Sequence, residues 1–299
     1  MAKANGKLFI IIHHLDQITI NKPINWLLAM SNKIIGIGGG VGPMAGVELH
    51  KKIIENTNPG GTDQGHLDIC HLSFSQHIPD RTKFLLGEIN QHPAEGMLAV
   101  AKTIAKIASA TGKQVVMGIP CNTFHAPKIF DYFLELLKQN NLEIEVLNML
   151  KETGEFIKLS LPNIKKIGLM STTGTRQAKV YNQLLEPLGF EIIEIPDQLQ
   201  NELHDSIYNT DWGIKAVSPV SQKARNNFLN FAKILKDQGA EIIILGCTEI
   251  PLALPEKEIE HIKLIDPVTI LARALINKVA KEKLRPNYEK NIAARLSGC

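Results

Sequence analysis

Two stretches decide the fold: Val115-Val-Met-Gly118-Ile-Pro-Cys121-Asn-Thr-Phe-His125 and Ile242-Ile-Ile-Leu245-Gly-Cys247-Thr-Glu249-Ile-Pro251. Each opens on a β-branched apolar run that reads as a buried strand. Each then delivers a cysteine, with hydroxyl or amide neighbours, just past the strand end. In open parallel α/β sheets ligands bind beyond the carboxyl ends of the strands. Two cysteines presented this way point to a matched pair acting on one ligand.

Working outward, the same sequence of elements occurs twice. Lys33-Ile-Ile-Gly-Ile37 is a strand running into Gly38-Gly-Gly40-Val-Gly42-Pro43, and a proline suits the first turn of the following helix. A strand at 67–72, a polar loop containing Ile78-Pro-Asp-Arg81-Thr82 and an alanine-rich helix from Pro93 to Ala110 lead to the first cysteine strand. After helix 128–139, strand 143–146 and a helix within 147–160, Lys166-Ile-Gly-Leu-Met170 repeats the opening strand. There Ser171-Thr-Thr-Gly174-Thr175 replaces the glycine loop, ahead of a helix that carries Lys179 and Tyr181. Strand 190–195 and helices 198–208 and 220–238 precede the second cysteine strand, and strand 263–265 and helix 268–283 close the pattern. Lys33 and Lys166 stand 133 positions apart and the two cysteines 126, so spacing within each half is nearly kept. Alternating strand and helix predicts two similar α/β domains with parallel sheets and a cleft between them. Their expected extents are 33–126 plus 252–284 for the first and 127–251 for the second. An N-terminal extension (1–32) and a tail (285–299) flank them, and Met30 is a second candidate start.

Composition excludes several classes. The 299 residues are 44% hydrophobic and 21% charged, with net charge +3 from 33 basic and 30 acidic side chains. That is an ordinary globular balance, without the basic block of a nucleic-acid binder. No apolar run approaches the ~18 residues of a membrane span. Cys70, Cys121, Cys247 and Cys299 form no CxxC pair, which fits a reducing cytoplasm rather than a disulfide framework.

Most isolated cysteines are small core hydrophobes. Cys70, inside a strand, takes that role, and Cys299 lies in the tail. Cys121 and Cys247 differ because each heads a polar loop near a helix N-terminus, a setting that lowers thiol pKa. Three chemistries use such a pair. A redox couple depends on the distance between the sulfurs. A zinc site would draw on Cys121, His125 and Cys247, at a spacing that is not a standard one. Proton transfer would use one thiolate to take a proton from carbon and the opposing thiol to return one, each positioned acid or base contributing roughly 10²–10⁴ in rate.

The surrounding residues divide by chemistry. Gly40-Val-Gly42-Pro-Met-Ala45 fits a dinucleotide loop, but Asp68 falls at the wrong end of the next strand and Pro43 removes an N–H donor. A carboxylate-binding turn, with Gly42 giving the ligand room, fits better. Asn122, Thr123 and Thr248 suit a substrate carboxylate or, equally, loop stabilisation. Thr172 and Thr175 complete the anion site from the second half. Arg81 offers a bidentate fork for a second carboxylate, against the plainer reading of a surface arginine. His125 and Glu249 either tune the thiols or hold their loops.

Taken together, Gly38-Gly-Gly-Val-Gly42-Pro43, Pro79-Asp-Arg81-Thr82, Pro120-Cys121-Asn122-Thr123 with His125, Thr172-Thr-Gly-Thr175 and Leu245-Gly-Cys247-Thr248-Glu249-Ile-Pro251 resemble the aspartate/glutamate racemase family, most closely its aspartate racemase branch. The resemblance covers roughly 33–283, although the usual Gly-Gly-Met-Gly-Pro loop is altered here. It implies a cofactor-independent enzyme of two pseudo-symmetric domains, usually a homodimer, that racemises an acidic amino acid in the interdomain cleft. It further implies that Cys121 and Cys247 are the catalytic pair, with no metal. Arg81 and Lys179 are then expected at the side-chain carboxylate of a small-molecule amino-acid substrate, aspartate before glutamate or a broader set. The closing helix is expected to cross back onto the first domain.

Overall fold

The computed structural model describes residues 31–286. The expectations for the N-terminal extension and for most of the C-terminal tail lie outside them. The elements run β1 (Lys33–Gly39), α1 (Pro43–Asn56), β2 (Ile69–Ser73), α2 (Arg81–Leu85), α3 (Pro93–Ala110), β3 (Gln114–Gly118), α4 (Pro127–Gln139), β4 (Ile144–Leu147) and α5 (Met149–Ser160). They continue with β5 (Lys166–Ser171), α6 (Thr173–Gln177), α7 (Val180–Leu185), β6 (Glu191–Glu194), α8 (Gln200–Tyr208), α9 (Gln222–Asp237), β7 (Ile242–Gly246), α10 (Ile250–Ala253), β8 (Glu258–Ile259), β9 (Ile262–Ile265) and α11 (Pro267–Ala280).

Two sheets result, ordered β2-β1-β3-β4 and β6-β5-β7-β9-β8, parallel throughout except for the β8–β9 pair. The order of the first four strands is the same in both, so β1 corresponds to β5 and β3 to β7. The expected pair of parallel α/β units is therefore present. In each sheet the chain goes to one side of the first strand and then returns on the other, which opens a crevice at the strand ends between β1 and β3 and between β5 and β7. Both cysteines follow the strand that borders this crevice.

The domain boundaries need correction. Sequence spacing assigns β4 to the second domain, yet it pairs with β3 in the first sheet, from Val115↔Ile144 to Gly118↔Leu147. The same spacing assigns β9 to the first domain, yet it pairs with β7 in the second sheet. Which neighbour a strand hydrogen-bonds with decides its sheet, and no periodicity encodes that choice. β8 has no sequence signature, because two residues are too few to show alternation.

Three apolar clusters hold the structure. One joins the two sheets, with Ile35, Ile37 and Val116 from the first, Ile167, Ile242 and Ile244 from the second, and Leu271, Leu275 and Ile276 of α11 between them. As expected, α11 returns to pack on α1 and β3. Gly118 makes this approach possible: a Cβ there would stand 2.8 Å from Cδ1 of Leu275. The other clusters cover the outer faces, with Met97, Ile104 and Phe133 on the first sheet and Leu203, Phe228 and Phe231 on the second. Among the described residues, no helix is long and apolar enough to cross a membrane.

Candidate active site

The ends of β1, β3, β5 and β7 meet at one cleft that encloses about 260 Å³, its open mouth included. Val41, Arg81, Cys121, Asn122, Thr123 and Thr172 line it, with Tyr208, Lys215, Gly246, Cys247, Thr248 and Glu249. Both cysteines, buried at 7% and 6% exposure, thus address the same space from corresponding strand ends.

Arg81 is set by a short helix where the sequence pointed to a loop. Asp80 is its N-cap and accepts from the Lys83 N–H at 2.8 Å. Helix α2 buries the Arg81 guanidinium, whose Nη2 donates to the Val41 carbonyl at 2.7 Å and Nη1 to that of Pro79 at 3.2 Å. Its Nε is buried with no partner. An unpaired donor on a buried cation is costly unless a ligand completes it. The surface-arginine reading is therefore excluded.

The threonines form a bridge between the halves. Thr123 Oγ1 lies 2.9 Å from Thr175 Oγ1 and 3.5 Å from Thr172 Oγ1, and the latter two are 3.1 Å apart. Thr172 also caps α6 through the Thr175 N–H. Thr123 and Thr172 reach the cleft, while Thr175 stands behind them.

The surroundings of Cys247 reverse one expectation. Its Sγ donates to Glu249 Oε2 at 3.2 Å, the same oxygen that accepts from Thr248 Oγ1 at 2.9 Å. Glu249 Oε1 accepts from Lys215 Nζ in a short ion pair. Burial and then the Glu249 charge push the Cys247 thiol far up, against the lowering expected at a helix N-terminus. The helix beyond it has only four residues, too few for an appreciable dipole. Burial would raise the Glu249 carboxyl, but the Lys215 ammonium and the hydrogen bonds from Cys247 and Thr248 together hold Glu249 below the usual carboxylate range. Cys247 is accordingly a proton donor to a carboxylate, and Glu249 tunes it directly.

His125 has the other of its two expected roles. Its Nδ1 donates to the Cys121 carbonyl at 2.8 Å and its Nε2 accepts from the Met149 N–H at 3.3 Å. Burial lowers its pKa to about 4, so the ring is neutral and both nitrogens are committed. It secures the Cys121 loop and has no nitrogen left for the metal site that the sequence left open.

Gly42, expected to give the ligand room, does not line the cleft; it has φ +134°, and a Cβ on it would fall 2.1 Å from Glu249 Oε1 and 3.1 Å from Lys215 Nζ. Its bareness makes room for that ion pair. Lys179 is a correction: it is exposed, sits at φ +48° in the break between α6 and α7, and does not line the cleft. Lys215 supplies the cleft's ammonium instead. It was missed because it lies in an irregular stretch, fixed by its own N–H to the Ile207 carbonyl. Tyr208, also missed, follows helical periodicity to the last residue of α8 and carries no motif.

The profile of Asp/Glu/Hydantoin racemases matches residues 39–275. The chain belongs to this racemase family. Among its structural neighbours, the Picrophilus torridus aspartate racemase is 26% identical with a TM-score of 0.68, the match covering 86% of this chain and 97% of that one. The glutamate racemase of Francisella tularensis subsp. tularensis SCHU S4, in complex with D-glutamate, shares the fold at 18% identity and TM-score 0.52, over 86% of this chain and 84% of that one. By sequence, the glutamate racemase of Thermoanaerobacter sp. (strain X514) is 26% identical over 173 residues, 56% of this racemase-family chain. That alignment spans only 57% of the relative's own length.

Proposed function

We propose that this protein interconverts the L and D forms of an acidic amino acid, aspartate first, by two-base proton transfer at the α-carbon without pyridoxal phosphate. One observation carries the reading: Cys121 and Cys247, from corresponding strand ends, line one cleft that also holds the Arg81 and Lys215 cations and the hydrogen-bonding side chains of Asn122, Thr123 and Thr248. Inverting a stereocentre needs an acid and a base on opposite sides of it. In one direction the Cys121 thiolate takes the α-proton while the Cys247 S–H proton passes to the other face of the same carbon. In the reverse direction the roles exchange. The α-carboxylate rests against Asn122, Thr123 and the Thr172 loop, and the distal carboxylate against Arg81 and Lys215. Because the α-proton is very weakly acidic, donors fixed around the developing charge supply much of the barrier reduction.

Glutamate is the alternative substrate, favoured by the glutamate racemase among the sequence relatives. The test is chiral analysis of single enantiomers incubated with cofactor-free protein in deuterated water. Aspartate is expected to racemise with deuterium at Cα, and Cys121→Ala or Cys247→Ala each to abolish it. Near-normal turnover by either variant overturns the two-base reading.

A further inference from the structure

Tyr181 does not line the cleft, yet its ring is fully buried and its hydroxyl reaches across from the second half to the first. The hydroxyl donates to Asn122 Oδ1 at 2.5 Å. On the same amide, Nδ2 is buried with no partner in the protein, and Asn122 lines the cleft beside Cys121. A side-chain amide has two nearly superimposable orientations, and its hydrogen-bond partners choose between them. A separation of 2.5 Å belongs to O–H···O geometry and is too short for N–H···O. The oxygen therefore faces Tyr181 and the donor is left for a ligand.

We propose that Tyr181 is a positioning residue: its hydroxyl locks the Asn122 amide so that Nδ2, and not Oδ1, faces a carboxylate bound in the cleft. The inference rests on the racemase reading and deepens it, since the group served is the α-carboxylate on which charge grows as the α-proton leaves. Burial raises the phenol well above its ordinary pKa, so it keeps the proton it donates. Reversed, the amide would set its oxygen against the carboxylate, a repulsion where a donor is needed. The lock comes from the other half of the chain, which shares an apolar core with the first, so carboxylate recognition depends on how the two halves pack.

Tyr181→Phe keeps the ring and removes only the lock. Losing a fixed donor to developing charge costs about 10²–10³ in kcat. Asn122→Ala should lose that much, and Tyr181→Phe about tenfold, since a free amide still visits the right orientation. In the Asn122→Ala background, Tyr181→Phe should change kcat by less than about twofold, because coupled residues are non-additive. A merely structural Tyr181 would instead give the same further loss in either background. That result, or full activity in Tyr181→Phe, overturns the lock alone. A wild-type protein inert toward both enantiomers of aspartate overturns the racemase reading together with it. A measurement on the wild type covers the case of a variant that does not fold. On saturation with DL-aspartate, the side-chain amide resonance of Asn122 should shift in a ¹⁵N NMR spectrum. If it stays fixed while other cleft resonances move, the lock fails.

Discussion

The Cys247 thiol donates to one carboxylate oxygen of Glu249, and the other oxygen is held by Lys215. This chain of three makes the two cysteines unequal. Cys247 rests as a thiol against an anion, whereas Cys121 shares its wall of the cleft with the buried Arg81 guanidinium.

Replacing Glu249 by Gln should make Cys247 ionise at lower pH. Burial and the Glu249 charge both keep the proton on sulfur, and the substitution removes the second while leaving the Lys215 cation unopposed. Alkylation by iodoacetamide needs the thiolate. At about pH 8, Cys247 labelling should run several-fold faster in Glu249→Gln than in the wild type, read by peptide mass spectrometry.

Lys215 and Lys179 should behave oppositely. Lys215→Met removes a cleft cation and strands the buried Glu249 carboxylate, which costs about 2–4 kcal/mol of stability even with some solvent at the lysine. A charge-assisted contact to substrate adds roughly 10- to 100-fold in kcat/KM for aspartate. Lys179→Ala should leave kcat/KM within about twofold, as expected of a surface site. Steady-state kinetics beside urea unfolding separates the two.

Gly42→Ala should cripple the site. The new methyl meets Glu249 Oε1 at 2.1 Å and occupies a backbone conformation that L side chains rarely adopt. The backbone strain alone is about 1–3 kcal/mol, and displacing Glu249 disturbs Cys247. Activity should fall at least about 10²-fold, by analogy with other small displacements of catalytic groups.

Acid should weaken the fold through His125. Its pKa is 6.5 in the unfolded chain and about 4 in the native one, so between these values the unfolded state binds the extra proton. Stability therefore rises with pH across that window, and the contribution is complete above pH 6.5. The slope from this residue is at most about 1.4 kcal/mol per pH unit. Urea denaturation from pH 4 to 7 should show a shallower slope in His125→Asn than in the wild type.

By itself the sequence determined the fold class, the duplication and the two cysteines, because strand, glycine turn and helix each have a local signature that recurs at nearly constant spacing. It also offered Asn122, Thr123, Thr172 and Thr248 as candidate binding residues because they follow strand ends, and Arg81 for its guanidinium fork, with loop-stabilising and surface readings left open. Tertiary structure alone decided the rest. Sheet membership of β4 and β9 depends on long-range hydrogen bonding. Lys215 reaches the cleft because an irregular loop folds back on α8, while Lys179, on a legible helix pattern, points elsewhere. The roles of His125 and Glu249 were open in sequence because each depends on partners distant in the chain, Met149 for the first and Lys215 for the second. Tyr181 lies 59 positions from Asn122 and meets it only in the folded molecule. Local spacing specifies elements, but charge and hydrogen-bond partners are chosen by proximity in the folded molecule, and that choice sets the chemistry.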